Sequence, residues 1–208
     1  MRRYQKTAFP QYLFVAIALI LIVGFAFLSM FIMEQVVYED QFILPWAAGR
    51  MWLMEGINPY DSEIRVFIEE ILTEPGYLGR LPESTTLNMP AINLIFYLPF
   101  SLIPFTIARA LWVTSLALCM LALGYFSLRL SGWRLSQYTI FIVLLSILLW
   151  FPSAITILQG HLSPVVFLLV FSSIFLILKG QDTAAGLLLA LTIGDFLSTV
   201  LIVILILL

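Results

Sequence analysis

Few residues of this chain are equipped for chemistry, and they are unevenly placed. Ten of the twelve acids fall between Glu34 and Glu83. Among them, Glu39 and Asp40 stand side by side a few residues after a long apolar run. A carboxylate at such a boundary can take a proton from a hydroxyl group or hold a cation. Burial strengthens a carboxylate as a base, and a neighbouring guanidinium opposes that effect. The plain alternative is a solvated loop acid. Arg50 and Arg80 lie in the same region. Arginine grips a phosphate by a two-pronged contact, and the simpler role for either is an ion pair with one of the nearby acids. His161, the only histidine, sits in LQGHLS at 158–163. It is suited to a phosphate or a proton relay, or to ordinary loop polarity. Gln159 precedes Gly160, and a glycine lets backbone approach a ligand closely. The candidates are therefore Asp40 as a catalytic acid–base group, with Glu39, Arg50, Arg80, Gln159 and His161 as substrate-binding groups.

Two more charges stand apart. Arg109 lies in or at the edge of an apolar run, and a charge within a membrane is a functional candidate by default. A snorkelling side chain at a helix end is the other reading. Asp195, in LTIGDFLS, is a carboxylate well inside an apolar stretch. Tyr60, Tyr97 and the tryptophans are expected to be anchors at a membrane–water interface.

The composition says what must position these groups. The chain has 208 residues, of which 62% are hydrophobic and 11% charged. Its mean hydropathy is +1.07. A soluble domain carries about 25% charged residues, so an integral membrane protein is expected. The one cysteine, Cys119, excludes an internal disulfide and suits a small buried apolar site. There is no Cys/His spacing for zinc, no glycine loop for a phosphate and no basic tract for nucleic acid. Neither a metal nor a nucleic-acid partner is expected.

The apolar runs predict an all-α, polytopic transmembrane bundle forming a single membrane domain over 1–208. The first run, at about 12–33, is too long for a signal-peptide core and lacks a small-residue cleavage site. About 20 residues cross the hydrocarbon, so it is expected to be a retained span. Arg2, Arg3 and Lys6 place the N-terminus in the cytoplasm by the positive-inside rule. Residues 34–88 then form an extracytoplasmic loop with juxtamembrane helices. The first of these, over 40–55, is expected to lie at the interface with Phe42, Trp46, Trp52 and Met54 available to lipid. Trp46 and Arg50 share a face, Gly56 ends the helix, and Asn58-Pro59 turns. Asp61 or Ser62 caps a second helix to about Thr73, and Pro75-Gly76 breaks it.

From Met89 the apolar character returns, punctuated by Pro90, Pro99 and Pro104. Stretch 90–104 is too short and broken for an easy crossing. If it dips in and returns, Arg129, Arg134 and Lys179 all lie inside, as the charge rule prefers, and 158–163 shares the outer side with Glu39 and Asp40. Further runs are expected at 105–128, 138–152, 163–178 and 184–208. The final IVILILL ends inside a greasy run without polar anchors, so a fragment or a truncated gene is expected.

Taken in order, several stretches resemble a known family. Asp40 follows the first span, then come WAAGRMWLMEGINPYD, MPAINLIFYLPFSLIPFTIARALW, LQGHLSPVVFLLV and AAGLLLAL. Over about 36–193 the chain resembles the N-terminal half of glycosyltransferase family 87, in the GT-C superfamily of polytopic membrane enzymes. The resemblance implies transfer of a hexose, commonly mannose, from a polyprenyl-phosphate donor to a lipid-linked or glycan acceptor hydroxyl. Transfer would occur on the outer membrane face, with inversion and without a metal or other cofactor. It implies Asp40, rather than its rival Glu39, as the catalytic base. It also implies a multi-pass protein of the plasma (cytoplasmic) membrane, with membrane lipid, donor and acceptor as partners. Three departures stand out: Met89-Pro90 replaces a double proline, His161-Leu162 follows Gln159-Gly160 where the family carries an asparagine, and Ile193-Gly194-Asp195 replaces a lysine–proline pair. They leave a second expectation, a non-catalytic membrane subunit or a truncated, inactive remnant. A transporter would call for paired intramembrane charges and internal repeats, which the sequence lacks.

Overall fold

A computed structural model describes residues 40–72, 87 and 89–192, together with helical residues 20, 23–25 and 27 of the first apolar run. Among the described residues all regular structure is helical and there is no strand. Helix α1 (Ile43–Glu55) begins where the Asp40 carboxylate caps the chain. It closes at Gly56, whose φ of 72° is the left-handed conformation that glycine adopts without strain. Its first two turns are enclosed on all sides, with Ile43, Leu44, Trp46, Ala47, Ala48 and Gly49 buried. An interfacial helix would instead keep one face in lipid. Phe42 and Trp46 therefore point into the protein, while Trp52 and Met54 are exposed. The enclosure depends on a close approach: a Cβ on Gly49 would collide with Ser101 Oγ. Asn58-Pro59 turns as expected, and Asp61 Oδ1 accepts from the Glu63 N–H at 3.1 Å to start α2 (Glu63–Leu72). Ile64 and Ile68, one turn apart, carry α2 onto α1, where Phe67 stacks on Trp46 at 6.2 Å. Pro75-Gly76 lies outside the described residues.

The proline-rich stretch forms two single turns, α3 (Ala91–Leu94) and α4 (Leu98–Ser101). Each proline removes a helical donor, so no continuous span forms here. Pro104 starts α5 (Phe105–Leu130), 26 residues long. At 1.5 Å per residue this is about 39 Å, enough to cross a hydrocarbon layer of about 30 Å. Of the described helices, α5 alone is long and apolar enough to span a membrane unaided. Helices α6 (Gln137–Leu149) and α7 (Phe151–Gln159) together pass the same test but bend by 59°. Trp150 is extended at the break and Pro152 follows it, so the helical ladder cannot run through. Helices α8 (Ser163–Leu178) and α9 (Asp182–Thr192) pack along each other, and α9 reaches back to α3.

These connections give the bundle two unlike ends. The starts of α1, α5 and α8 meet the end of α7 at one, where Gln41 N–H donates to the Gln159 carbonyl at 2.9 Å. At the other, the C-terminal turns of α5 and α8 meet through Phe126 and Phe175, with ring centres 6.4 Å apart. Arg129, on α5, and Lys179, just past α8, lie at this end, away from the Asp40–Arg109 pair.

Candidate functional site

The first end holds a compact aromatic cluster. Phe42 stacks on Trp112 at 5.6 Å, Tyr97 lies 4.6 Å from Trp112, and Phe100 meets the same indole edge-on at 5.3 Å. Tyr97 is 1% exposed and Trp46 3%. They are core residues and not the interface anchors expected from their type. Trp46 Nε1 donates to the carbonyls of Phe100 and Ile103, at 3.0 and 3.3 Å, which satisfies its polar edge inside the protein. Tyr60, Trp133 and Trp150 are exposed.

Asp40 sits under this cluster at 0% exposure, and Arg109 reaches it from α5 at 2%. Arg109 Nε donates to Asp40 Oδ2 at 2.7 Å. Asp40 Oδ1 accepts from the N–H groups of Phe42 at 2.8 Å and Ile43 at 3.3 Å. Carboxylates suit this position because the first amides of a helix lack internal partners and carry a partial positive charge. The second arm of the guanidinium, Nη2, donates to the Leu158 carbonyl at the end of α7. A buried charge is tolerated when it is closely paired. Here one ion pair joins α1, α5 and α7.

The turn at 159–161 completes the arrangement. Gly160 has φ 75°, and a Cβ on it would lie 3.0 Å from Phe42 Cβ, 3.3 Å from Arg109 Nη1 and 3.4 Å from Trp112 Cδ1. The carbonyl of Gly160 accepts from Trp112 Nε1 at 2.9 Å. His161 Nε2 lies 3.1 Å from Gln159 Oε1, and both side chains are half-buried. Of the residues singled out in the sequence, Asp40, Gln159 and His161 are thus brought together. Arg50 is not part of this group. It projects about 10 Å further along α1 than Ile43, where Nη1 donates to the Ser101 carbonyl at 3.1 Å and the guanidinium covers the Trp46 ring at 5.6 Å. Glu39, Arg80 and Asp195 lie outside the described residues.

Sequence reasoning named Arg109 as an unusual charge without pairing it to Asp40. It missed Trp112 as a reader of the Gly160 carbonyl. It also missed Asn93, a buried residue of α3 whose Oδ1 has no hydrogen-bond partner among the described residues. The signal for Arg109 was a single cation in an apolar run, in a chain whose Glu39-Asp40 pair closely follows another apolar run. No protein-family model, curated protein or solved structure matches this chain.

Proposed function

We propose that this chain is a multi-pass plasma-membrane glycosyltransferase. It moves a hexose, mannose by the family resemblance, from a polyprenyl-phosphate donor to a lipid-linked or glycan hydroxyl on the outer face. Asp40 takes the proton from the acceptor hydroxyl, the acceptor oxygen bonds to the anomeric carbon with inversion, and the bond from that carbon to the phosphate breaks. Gln159 and His161, on the turn that the Gln41 N–H and Arg109 tie to the Asp40 end, serve as contacts for the departing phosphate or the acceptor. The carrying observation is convergence: Asp40, the α5 start in FTIARALW and the LQGHLS turn are distant in sequence yet share one buried hydrogen-bonded cluster. The positive-inside rule adds the orientation, with Arg129, Arg134 and Lys179 cytoplasmic and Asp40 outside.

One observation favours the second reading, a non-catalytic membrane subunit. Both Asp40 oxygens are engaged and the side chain is fully enclosed, which suits a clamp between helices. In the catalytic reading Arg109 must release Oδ2 when the acceptor arrives.

The two readings separate by labelled mannose transfer from polyprenyl-phosphate-mannose in membranes holding the full chain. Catalysis predicts transfer by the wild type. It also predicts that the Asp40→Asn, Arg109→Gln double variant, with a neutral hydrogen-bonding pair, inserts and melts normally yet transfers nothing. Transfer retained by that double variant removes Asp40 as the base, and a folded, inserted wild type that never transfers leaves the clamp.

A further inference from the structure

At the end opposite Asp40, a cleft of about 250 Å³ opens between α5 and α8. Its walls are Phe126, Leu130, Phe171, Phe175 and Leu176, and Arg129 stands at its rim. Arg129 Nε donates to Tyr125 Oη at 2.9 Å and its guanidinium lies over that ring at 5.2 Å. Lys179 Nζ lies 4.3 Å over the ring of Phe175, a wall of the same cleft. Both cations are exposed, and neither has an acidic partner among the described residues. A larger apolar cleft of about 440 Å³ runs beside it and shares Phe171, with exposed Trp133 on its wall next to Arg134.

Two cations fixed by aromatic rings above an apolar slot match one kind of molecule, an anionic head carried on an acyl chain. We infer that this end binds an anionic phospholipid, with its phosphate between Arg129 and Lys179 and a chain in the α5–α8 cleft. Arginine offers paired donors to the phosphate and lysine a mobile point charge, while the ring walls exclude water from the chain. Each cation near an anionic lipid surface contributes about a fivefold preference. The inference rests on the membrane-embedded part of the proposed function and is independent of sugar transfer.

The test is native mass spectrometry of the full chain released from micelles holding equal amounts of dioleoyl phosphatidylglycerol and dioleoyl phosphatidylcholine. The wild type should retain phosphatidylglycerol preferentially. Arg129→Gln with Lys179→Gln should lower that preference by about 25-fold, while Arg65→Gln, at the exposed Arg65–Glu69 ion pair of α2, leaves it unchanged. Equal retention of the two lipids by the wild type, or a preference that survives the double change, overturns the site. Displacement by soluble glycerol phosphate at the same concentration as whole lipid also overturns it, because the cleft then contributes nothing. Alkaline carbonate extraction separates this from the wider reading. A chain released by carbonate fails as a membrane protein, whereas a retained chain without lipid preference loses only this site.

Discussion

The two ends of the bundle handle charge in opposite ways. At the Asp40 end the charges are buried, and each carboxylate oxygen meets a donor. At the Arg129 end the cations are exposed and lean on aromatic rings instead of acids. Burial turns a charge into a strut, because removing either partner strands the other in a medium that cannot solvate it. Exposure leaves a charge free to meet a partner from outside, at little gain to the fold. The proposed chemistry at the first end therefore requires opening a buried ion pair, whereas the proposed binding at the second requires only that a ligand arrive.

The largest effect expected from this contrast is at the ion pair. Asp40→Ala or Arg109→Ala alone should lower stability by about 3–5 kcal/mol, read as a fall in the melting temperature of the full chain in a fixed detergent. The neutral double variant should recover most of that loss. A single change that melts like the wild type would erase the difference between the ends. Gly160→Ala comes next. A side chain at φ 75°, pressed to 3.0 Å from Phe42, should cost about 1–3 kcal/mol. The same melt checks it, and loss of near-ultraviolet circular dichroism from the Phe42–Trp112 stack would sharpen it. The smallest effect belongs to Arg129→Gln with Lys179→Gln, which should change stability by less than about 1 kcal/mol. A large loss there would mean that the basic end is structural too.

The sequence made some of this legible and hid the rest. The caps of α1 and α2 and the break of 90–104 into single turns follow from Gly56, Asp61 and the prolines, whose effects are local. Asp40 stood out by its place beside an apolar run, but that place suited a solvated loop acid as well, and its complete burial was not legible. Nor was its partner, since 69 residues separate it from Arg109 and no local pattern encodes such a pairing. Trp46 and Tyr97 misled for a different reason. An aromatic ring with one polar atom suits a headgroup layer and a hydrogen-bonded core equally well, and only the backbone carbonyls that surround it decide. Arg50 and Trp46 do share a face of α1, as their spacing says, but that face meets Ser101 and lies away from the Asp40 pair.

The clamp joining Asp40, Arg109 and Leu158 also sets a schedule for biosynthesis. Arg109 emerges 69 residues after Asp40, and the Leu158 carbonyl a further 49 later. At about 5–20 residues per second on the ribosome, the acid waits roughly 6–24 s for its complete set of partners. Over that interval the nascent segment around α1 must remain hydrated or chaperoned, and the ion-pair clamp closes only when α7 arrives.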